Sequence, residues 1–371
     1  MNNDKELTVL LLLKDRPLFT LRWMSYANKI HLPFKVFIAD GGKDETVPKI
    51  LSNKSHFPNV DYEYVRYPYD RTYSEYYRKV ANALSRIDTP FVVQVPNDDF
   101  YFVEGLKRSV DFLRVHPDYA ASGGDMKDFT VESCKRHGMS PFYGSITFPG
   151  KAYPARDIID DTAMGRLRTY ICGRVSTFLW VAVHRTDSLK RSFQTLSNIN
   201  PKDLRFSEHL IYLLTIAAGK THRESGLYLL HQDNTQEALG AKIAREIPTY
   251  LHWIKRKGWS EDFSNFVQAV SKAVADYDGV PVGDACEDFK HLYLSFIGKG
   301  VVRMFCPQTE PSKPTNEHDI ESSIEQSSEF NMTREFLANG PSTMEIAIWK
   351  KAQRPFSALI SLLKRLKKRF L

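Results

Sequence analysis

The sequence has 371 residues, with 51 Lys and Arg against 44 Asp and Glu, and its formal charge is therefore +7. Eight of the basic residues and no acidic residue lie between Lys350 and Leu371, which leaves 43 basic against 44 acidic residues over positions 1–349. A nearly neutral body argues against a nucleic-acid-binding face spread over the protein, and we expect no nucleic acid among its partners.

The cysteines and the first apolar run indicate the compartment. Four cysteines lie far apart, without a CxxC pair or a zinc-like spacing, so we expect neither a structural metal nor a disulfide framework. The run Leu7–Leu13 is seven residues long and is followed by three charged residues, which is typical of neither a signal peptide nor a membrane span. We therefore expect a cytoplasmic protein.

Apolar runs and helical patterns alternate over the first 115 residues. This alternation predicts a mostly parallel, Rossmann-like α/β sheet flanked by helices, with ligands bound beyond the carboxyl ends of its strands. Strands are predicted at residues 7–13, 34–39, 60–65 and 91–95, and helices from Pro17 and at residues 47–51, 74–86 and 105–115.

The rest of the chain divides by composition. A strand is predicted at residues 178–183, a helix at 206–218 and a strand at 226–230. We predict a sheet domain over residues 1–235, a helical region over 236–306, a polar linker over 307–343 and a basic amphipathic helix over 344–371.

Two predicted strands end in acidic segments. Asn97-Asp98-Asp99 places adjacent carboxylates beyond an apolar strand, which is costly unless a cation such as Mg²⁺ or Mn²⁺ neutralises them. A solvated turn is the alternative interpretation. Asp40, followed by Gly41 and Gly42, could accept hydrogen bonds from a base or ribose, although Asp-Gly is also a common turn.

The order of these segments resembles the nucleotide-binding half of GT-A glycosyltransferases of the family-2 type, over roughly residues 6–235. The resemblance implies a GT-A fold, a nucleotide-sugar donor and Mn²⁺ or Mg²⁺ as cofactor. The matching segments are Asp15-Arg16-Pro17, residues 39–44, Lys79 with Asn82, and Asn97-Asp98-Asp99 in the place of the family's DxD motif.

The resemblance also implies roles for single residues. Asp99, Asp98 and His231 would bind the metal, and Glu208 would be the general base of an inverting transfer. Glu208 could instead cap its helix, His231 could be structural, and His209 stands where the family usually has Asp. The residues expected to contact the nucleotide sugar are Asp40, Gly41, Arg16, Lys79, Asn97, Asp98 and Arg174, although a surface ion pair would equally explain Arg174.

The basic C-terminus has a helical pattern of its own. Large apolar residues recur every three or four positions from Phe356 to Phe370, with Lys and Arg on the other face. This pattern predicts an interfacial helix on anionic lipid, at the inner face of the cell membrane. A helix that packs on the body or on a partner subunit is the alternative.

The prediction is a metal-dependent inverting glycosyltransferase, and the family resemblance implies a role in polysaccharide assembly with a glycan or lipid-linked saccharide as acceptor. A catalytically inactive GT-A-like nucleotide- or glycan-binding scaffold protein is the first alternative. A nucleotidyltransferase is the second, although residues 11–19 lack the Gly- and Lys-rich phosphate loop such enzymes need. The sugar, the nucleotide, the linkage and the oligomeric state stay open.

Overall fold

A computed structural model describes residues 5–133, 141–148, 156–173, 178–233, 249–306 and 326–352. The strands in these residues form one mixed sheet in the order β3-β2-β1-β4-β8-β6-β9-β5, with β7 paired to β6. The strands are β1 Leu7–Leu13, β2 Lys35–Asp40, β3 Tyr62–Arg66, β4 Phe91–Val95, β5 Phe100–Tyr101, β6 Tyr119–Ser133, β7 Gly144–Thr147, β8 Val183–Arg185 and β9 Lys220–Gln232.

The first four strands are mutually parallel, as are β6 and β9, whereas β8 runs antiparallel to both of its neighbours. Successive residues of β1 pack into different cores, Val9 and Leu11 on one face and Leu10 on the other. Burial on both faces explains why this strand is a continuous apolar run rather than an alternating one. The prediction of an α/β sheet flanked by helices is confirmed.

Helices cover both faces of the sheet. Sequence signals mark several of their ends: Pro17 opens α1, Thr72 and Glu75 form a capping box on α3, and Gly279 in the left-handed conformation ends α9. The helices are α1 Pro17–Lys29, α2 Thr46–Leu51, α3 Tyr73–Ser85, α4 Val103–Val115, α5 Ala163–Gly173, α6 Thr186–Ile199, α7 Leu204–Ala218, α8 Tyr250–Ile254, α9 Trp259–Asp278, α10 Val282–Phe305, α11 Ser328–Ala338 and α12, residues 343–352.

The strand predicted at residues 178–183 is wrong over most of its length. Phe178–Trp180 forms a 3-10 turn, and the strand is the short β8 that follows it. The carbonyl of Leu179 bonds the buried His184 ring at 2.6 Å. Leu179 and Ala182 are buried in the core, so an apolar run appears in the sequence without an extended backbone.

Residues 326–343, the described part of the segment predicted to be a polar linker, pack on the body. In α11, Phe330, Phe336 and Leu337 are buried, and the Tyr26 hydroxyl hydrogen-bonds that of Thr333 at 2.8 Å. Few positions of residues 307–343 are apolar, so the composition of the segment does not indicate the buried face of α11. Residues 353–371, which carry the predicted amphipathic pattern, lie outside the described residues.

Helix α12 begins the predicted amphipathic segment and is also attached to the body. Ile348 and Ala352 are buried in the core cluster that also contains Val9 and Leu11 of β1, and Glu345 accepts a hydrogen bond from the Tyr143 hydroxyl. No helix within the described ranges is long and apolar enough to span a membrane.

Candidate functional site

The loops after β1, β2 and β4 lie at one edge of the sheet. The parallel register pairs Leu13 with Asp40 and Leu11 with Val95, so the three strands end side by side. Asp15 and Arg16 follow β1 with positive φ angles of 57° and 61°, a conformation that costs a non-glycine residue energy. The Asp15 carboxylate holds this loop to the next one, because it accepts the backbone N–H groups of Lys43 and Asp44 at 2.8 and 3.0 Å.

Asp40 is fully buried and both of its carboxylate oxygens are engaged. One oxygen accepts the backbone N–H of Gly42 at 2.8 Å, and the other accepts the Tyr64 hydroxyl at 2.8 Å and the Arg66 guanidinium. Burial and this carboxylate raise the pKa of the Tyr64 hydroxyl. The half-buried Arg66 lies over Asp40, so a direct contact between Asp40 and a nucleotide requires the arginine side chain to move aside.

Lys79 lies beneath the same loop in a buried ion pair with Asp70. Its ammonium group donates to the Asp70 carboxylate and to the Leu13 carbonyl at 2.9 Å, and neither charged side chain is more than 2% exposed. Burial raises the pKa of Asp70 and lowers the pKa of Lys79. Lys79 thus stabilises the ends of β1 and β2 through the Leu13 carbonyl and through Asp70, which packs against Gly41. The contact between Lys79 and the donor stays a prediction.

Asp70 packs directly against Gly41. A Cβ at Gly41 would lie 2.3 Å from an Asp70 carboxylate oxygen, so only glycine fits there. The other Asp70 oxygen, Oδ1, has no hydrogen-bond partner in the described part of the chain. Sequence analysis did not identify Asp70, because Tyr69-Asp70-Arg71 has no distinctive motif. The position of Asp70 after a parallel strand was the signal that could have indicated a site residue.

The acidic segment after β4 is tied to α1 by two arginines. Arg16 bonds the Asp98 carboxylate at 3.0 Å, and the fully buried Arg22 donates to the Asp98 carbonyl at 2.9 Å. Burial lowers the pKa of Arg22 to about 10. Asn97 donates to the Thr20 hydroxyl at 3.0 Å. These contacts fix the backbone of the segment, and sequence analysis did not identify Arg22.

Asp99 and His231 meet at the same edge, although 132 residues separate them. β5 pairs with β9 and thereby brings the end of β9 beside Asp99. His231 Nδ1 lies 3.0 Å from both Asp99 oxygens, and the Gln232 backbone donates to one of them at 3.1 Å. The Asp99 carboxylate raises the pKa of His231 to about 9, and burial raises the pKa of Asp99.

The Asp99 carboxylate would suit a divalent cation held jointly with a phosphate ligand, and His231 would join it as a ligand on losing the proton that its raised pKa keeps at neutral pH. A carboxylate and an imidazole converge, whereas Asp98 is engaged with Arg16. No group of three or more His, Cys, Asp or Glu within the described ranges could hold a metal by itself. Mg²⁺ sites commonly use one or two carboxylates and complete their shell with substrate phosphates and water, so Asp99 would hold the metal together with the donor's phosphates.

Glu208 lies in the second turn of α7, and it does not cap the helix. The N-terminal backbone is capped by Asp203, which accepts from the Arg205 N–H at 2.9 Å. Glu208 Oε1 instead accepts the Tyr212 hydroxyl at 2.9 Å, and burial raises the pKa of Glu208. No hydrogen bond or ion pair between described residues joins Glu208 to Asp40, Asp98 or Asp99.

His209, next to Glu208, is part of the interior. Its Nδ1 hydrogen-bonds the Tyr293 hydroxyl, and burial lowers the pKa of His209 to about 4. A neutral imidazole therefore joins α7 to α10 at the position where the resembling family usually has Asp. Arg174 lies outside the described residues.

Comparisons with known proteins give structural similarities alone. No family model matches the chain, and no curated protein matches it. S. aureus TarS covers 94% of this chain at 12% identity and a TM-score of 0.44, and this chain spans 55% of that protein.

Two further solved structures are similar over most of both chains. S. aureus TarS 1-349 in complex with UDP-GlcNAc covers 95% of this chain and 92% of its own, at 11% identity and a TM-score of 0.47. The mannosyltransferase PcManGT from Pyrobaculum calidifontis, in complex with GDP-Man and Mn²⁺, covers 94% and 86%, at 10% identity and a TM-score of 0.40.

Proposed function

We propose that the protein is a GT-A-type glycosyltransferase that moves a sugar from a nucleotide-sugar donor to an acceptor hydroxyl with inversion at the anomeric carbon. The observation that carries this proposal is the meeting of Asp99 and His231 at the carboxyl edge of the parallel strands. This edge is where α/β sheets bind nucleotides, and the pair provides ligands for a metal–diphosphate complex. Mn²⁺ or Mg²⁺ held there would supply positive charge against the departing diphosphate.

The loops around this edge supply the remaining donor contacts. Exposed Lys14 and Lys43 flank the Tyr69 ring, with their ammonium groups 5.4 and 5.6 Å from its centroid. Together with Arg16, they offer cationic groups to an anionic donor. Asp40 would accept a hydrogen bond from the base or ribose once the Arg66 side chain moves aside.

Glu208 is the proposed general base. The acceptor oxygen forms a bond to the anomeric carbon, the bond from that carbon to the diphosphate breaks, and the acceptor proton passes to the Glu208 carboxylate. Burial raises the pKa of Glu208, which makes it a stronger base than an exposed glutamate. The Tyr212 hydroxyl fixes Oε1, so Oε2 is the oxygen that receives the proton.

We further propose that the acceptor is a glycan or a lipid-linked saccharide and that residues 353–371 hold the enzyme at the inner face of the cell membrane. The basic amphipathic pattern of these residues supports this proposal. Helix α12 lies directly before them and is packed into the core through Ile348 and Ala352. A tail bound to anionic lipid would therefore keep the catalytic body close to the membrane surface.

The non-catalytic scaffold is the second candidate, and a specific observation favours it. Asp40 is saturated by Arg66 and Tyr64, and Asp98 is paired with Arg16, so neither carboxylate is free to meet a donor. A scaffold of this kind would bind a nucleotide or glycan without turning it over.

A thermal-shift screen of UDP-, GDP-, CDP- and dTDP-sugars, each with Mn²⁺ or with EDTA, tests donor binding. We expect one nucleotide class to raise the melting temperature in Mn²⁺ only, because a ligand at a hundred times its Kd stabilises the folded state by about 2.7 kcal/mol. The Asp99→Asn variant should lose this shift. A screen in which no nucleotide sugar raises the melting temperature would contradict the proposal.

A further inference from the structure

A cleft with no assigned role lies between α5, α7, α8 and α10, next to the turn of α7 that carries Glu208 and His209. It has a volume of about 530 Å³, and aromatic and aliphatic side chains form most of its wall. The principal wall residues are Tyr170, His209, Leu213, Tyr250, Tyr293 and Phe296. Gly300 allows the Tyr250 ring to lie against α10, because a Cβ there would be 2.5 Å from the ring.

Two cations lie at the rim of the cleft. Lys299 and Arg303 are exposed, line the cleft and stand one turn apart on α10. Neither makes an ion pair or a side-chain hydrogen bond within the described part of the chain, and no Asp or Glu is among the described residues that line the cleft. The charge of the cleft therefore fits a ligand with an anionic group and a less polar face.

The cleft adjoins the proposed base through a pair of tyrosines. Tyr170 lines the cleft, and its ring centroid lies 6.4 Å from that of Tyr212. The Tyr212 hydroxyl donates to Glu208. Burial and, to a smaller extent, the Glu208 charge raise the pKa of the Tyr170 hydroxyl. The cleft therefore lies on the side of α7 that carries His209 and Leu213, and Tyr170 and Tyr212 connect its wall to Glu208.

We propose that this cleft binds the acceptor, and that the acceptor is a saccharide carrying phosphate or carboxylate groups. Sugar rings present C–H faces that pack on aromatic side chains, here Tyr170, Tyr250 and Phe296. The anionic substituent pairs with Lys299 and Arg303. The inference deepens the proposed function and rests on it, because the cleft is assigned to the acceptor through its position beside Glu208.

The test compares two double variants of the full chain. Lys299→Glu with Arg303→Glu reverses the charge of this cleft. The matched control, Arg191→Glu with Lys272→Glu, reverses two exposed cations that line a different cleft, of about 650 Å³, between α6, α7 and α9. Calorimetry measures the binding of a trigalacturonate, glucose 6-phosphate, neutral maltotriose and farnesyl phosphate in detergent.

We expect the two anionic saccharides to bind the wild type and the control equally, and to bind the reversed cleft at least about tenfold more weakly. Maltotriose should bind weakly to all three proteins. Equal binding of the anionic saccharides to both double variants, or no binding to the wild type, would overturn the proposal. Binding of farnesyl phosphate without either anionic saccharide would overturn the assignment to a saccharide and indicate a lipid headgroup instead.

A second variant keeps the charge and changes the shape. Gly300→Ala should force the Tyr250 ring into the cleft and weaken all saccharides alike, whereas unchanged binding would contradict the role of the aromatic wall. The nucleotide-sugar thermal shift is measured on every variant. If a variant loses saccharide binding and its melting temperature still rises with the nucleotide sugar, the result supports the acceptor cleft. If no nucleotide sugar raises the melting temperature of the wild type, the result refutes the proposed function, whatever the cleft binds.

Discussion

The buried ion pair between Lys79 and Asp70 makes a quantitative prediction about the nucleotide edge. Lys79→Met removes the only cation bonded to Asp70 among the described residues and leaves a carboxylate that is about 1% exposed. Removing one partner of a buried ion pair costs about 3–5 kcal/mol of unfolding free energy. We expect this loss in urea denaturation of the full chain, followed by circular dichroism at pH 7.

The pH dependence of this loss has a defined sign. Burial raises the pKa of Asp70, and without Lys79 only the smaller effect of Lys14 is left, among the described residues, to oppose that increase. A group whose pKa is raised by folding stabilises the folded state most at pH values below its unfolded pKa, and this stabilisation is lost as pH rises through the folded value. The deficit of Lys79→Met should therefore shrink towards acidic pH.

The matched control is an exposed pair of the same chemistry. Lys35 and Glu63 lie 3.7 Å apart with side chains 41% and 39% exposed, so Lys35→Met should cost no more than about 1 kcal/mol. The double variant Asp70→Leu with Lys79→Met removes both charges and should recover most of the stability. The reasoning is refuted if Lys79→Met costs no more than Lys35→Met.

Three further predictions concern the base, the metal pair and the tail. Tyr212→Phe removes a hydrogen bond that lowers the pKa of Glu208, so the acid limb of the transfer rate should move to higher pH; an unmoved limb would count against Glu208 as the base. His231→Ala should weaken Mn²⁺ affinity at least about tenfold, measured as the Mn²⁺ dependence of donor binding. Unchanged affinity would show that His231 is not a metal ligand. Deleting residues 353–371 should abolish co-sedimentation with anionic vesicles at an unchanged melting temperature, since Ile348 and Ala352 remain; persistent co-sedimentation would exclude the tail as the anchor.

The sequence predicted the strands of the parallel half closely, because each is an apolar run ending at a turn. Phe91–Val95 and Leu7–Leu13 have the predicted bounds. It also placed Asp40 and Asp98 at strand ends, because parallel strands bring their carboxyl ends to one edge. These predictions depend on local pattern, which a single sequence carries directly.

What the sequence could not provide is the pairing of distant residues. Arg22 donates to the carbonyls of Asp98 and Phe142, and Glu345 accepts from Tyr143, over separations of 76 to 202 residues. Lys79 was predicted to contact the donor from the family resemblance, and no local pattern indicated that it pairs with the buried Asp70.

The central claim is that the protein transfers a sugar from a nucleotide sugar with the help of a divalent metal. Release of nucleoside diphosphate from the donor in the presence of an acceptor, measured in Mn²⁺ and in EDTA, tests this claim most directly. The account predicts release by the wild type in Mn²⁺ only. Glu208→Gln should lose about 10²–10⁴ in rate while donor binding is retained, and Asp99→Asn should lose donor binding as well. Full turnover by Glu208→Gln, or turnover by the wild type in EDTA, would contradict the account.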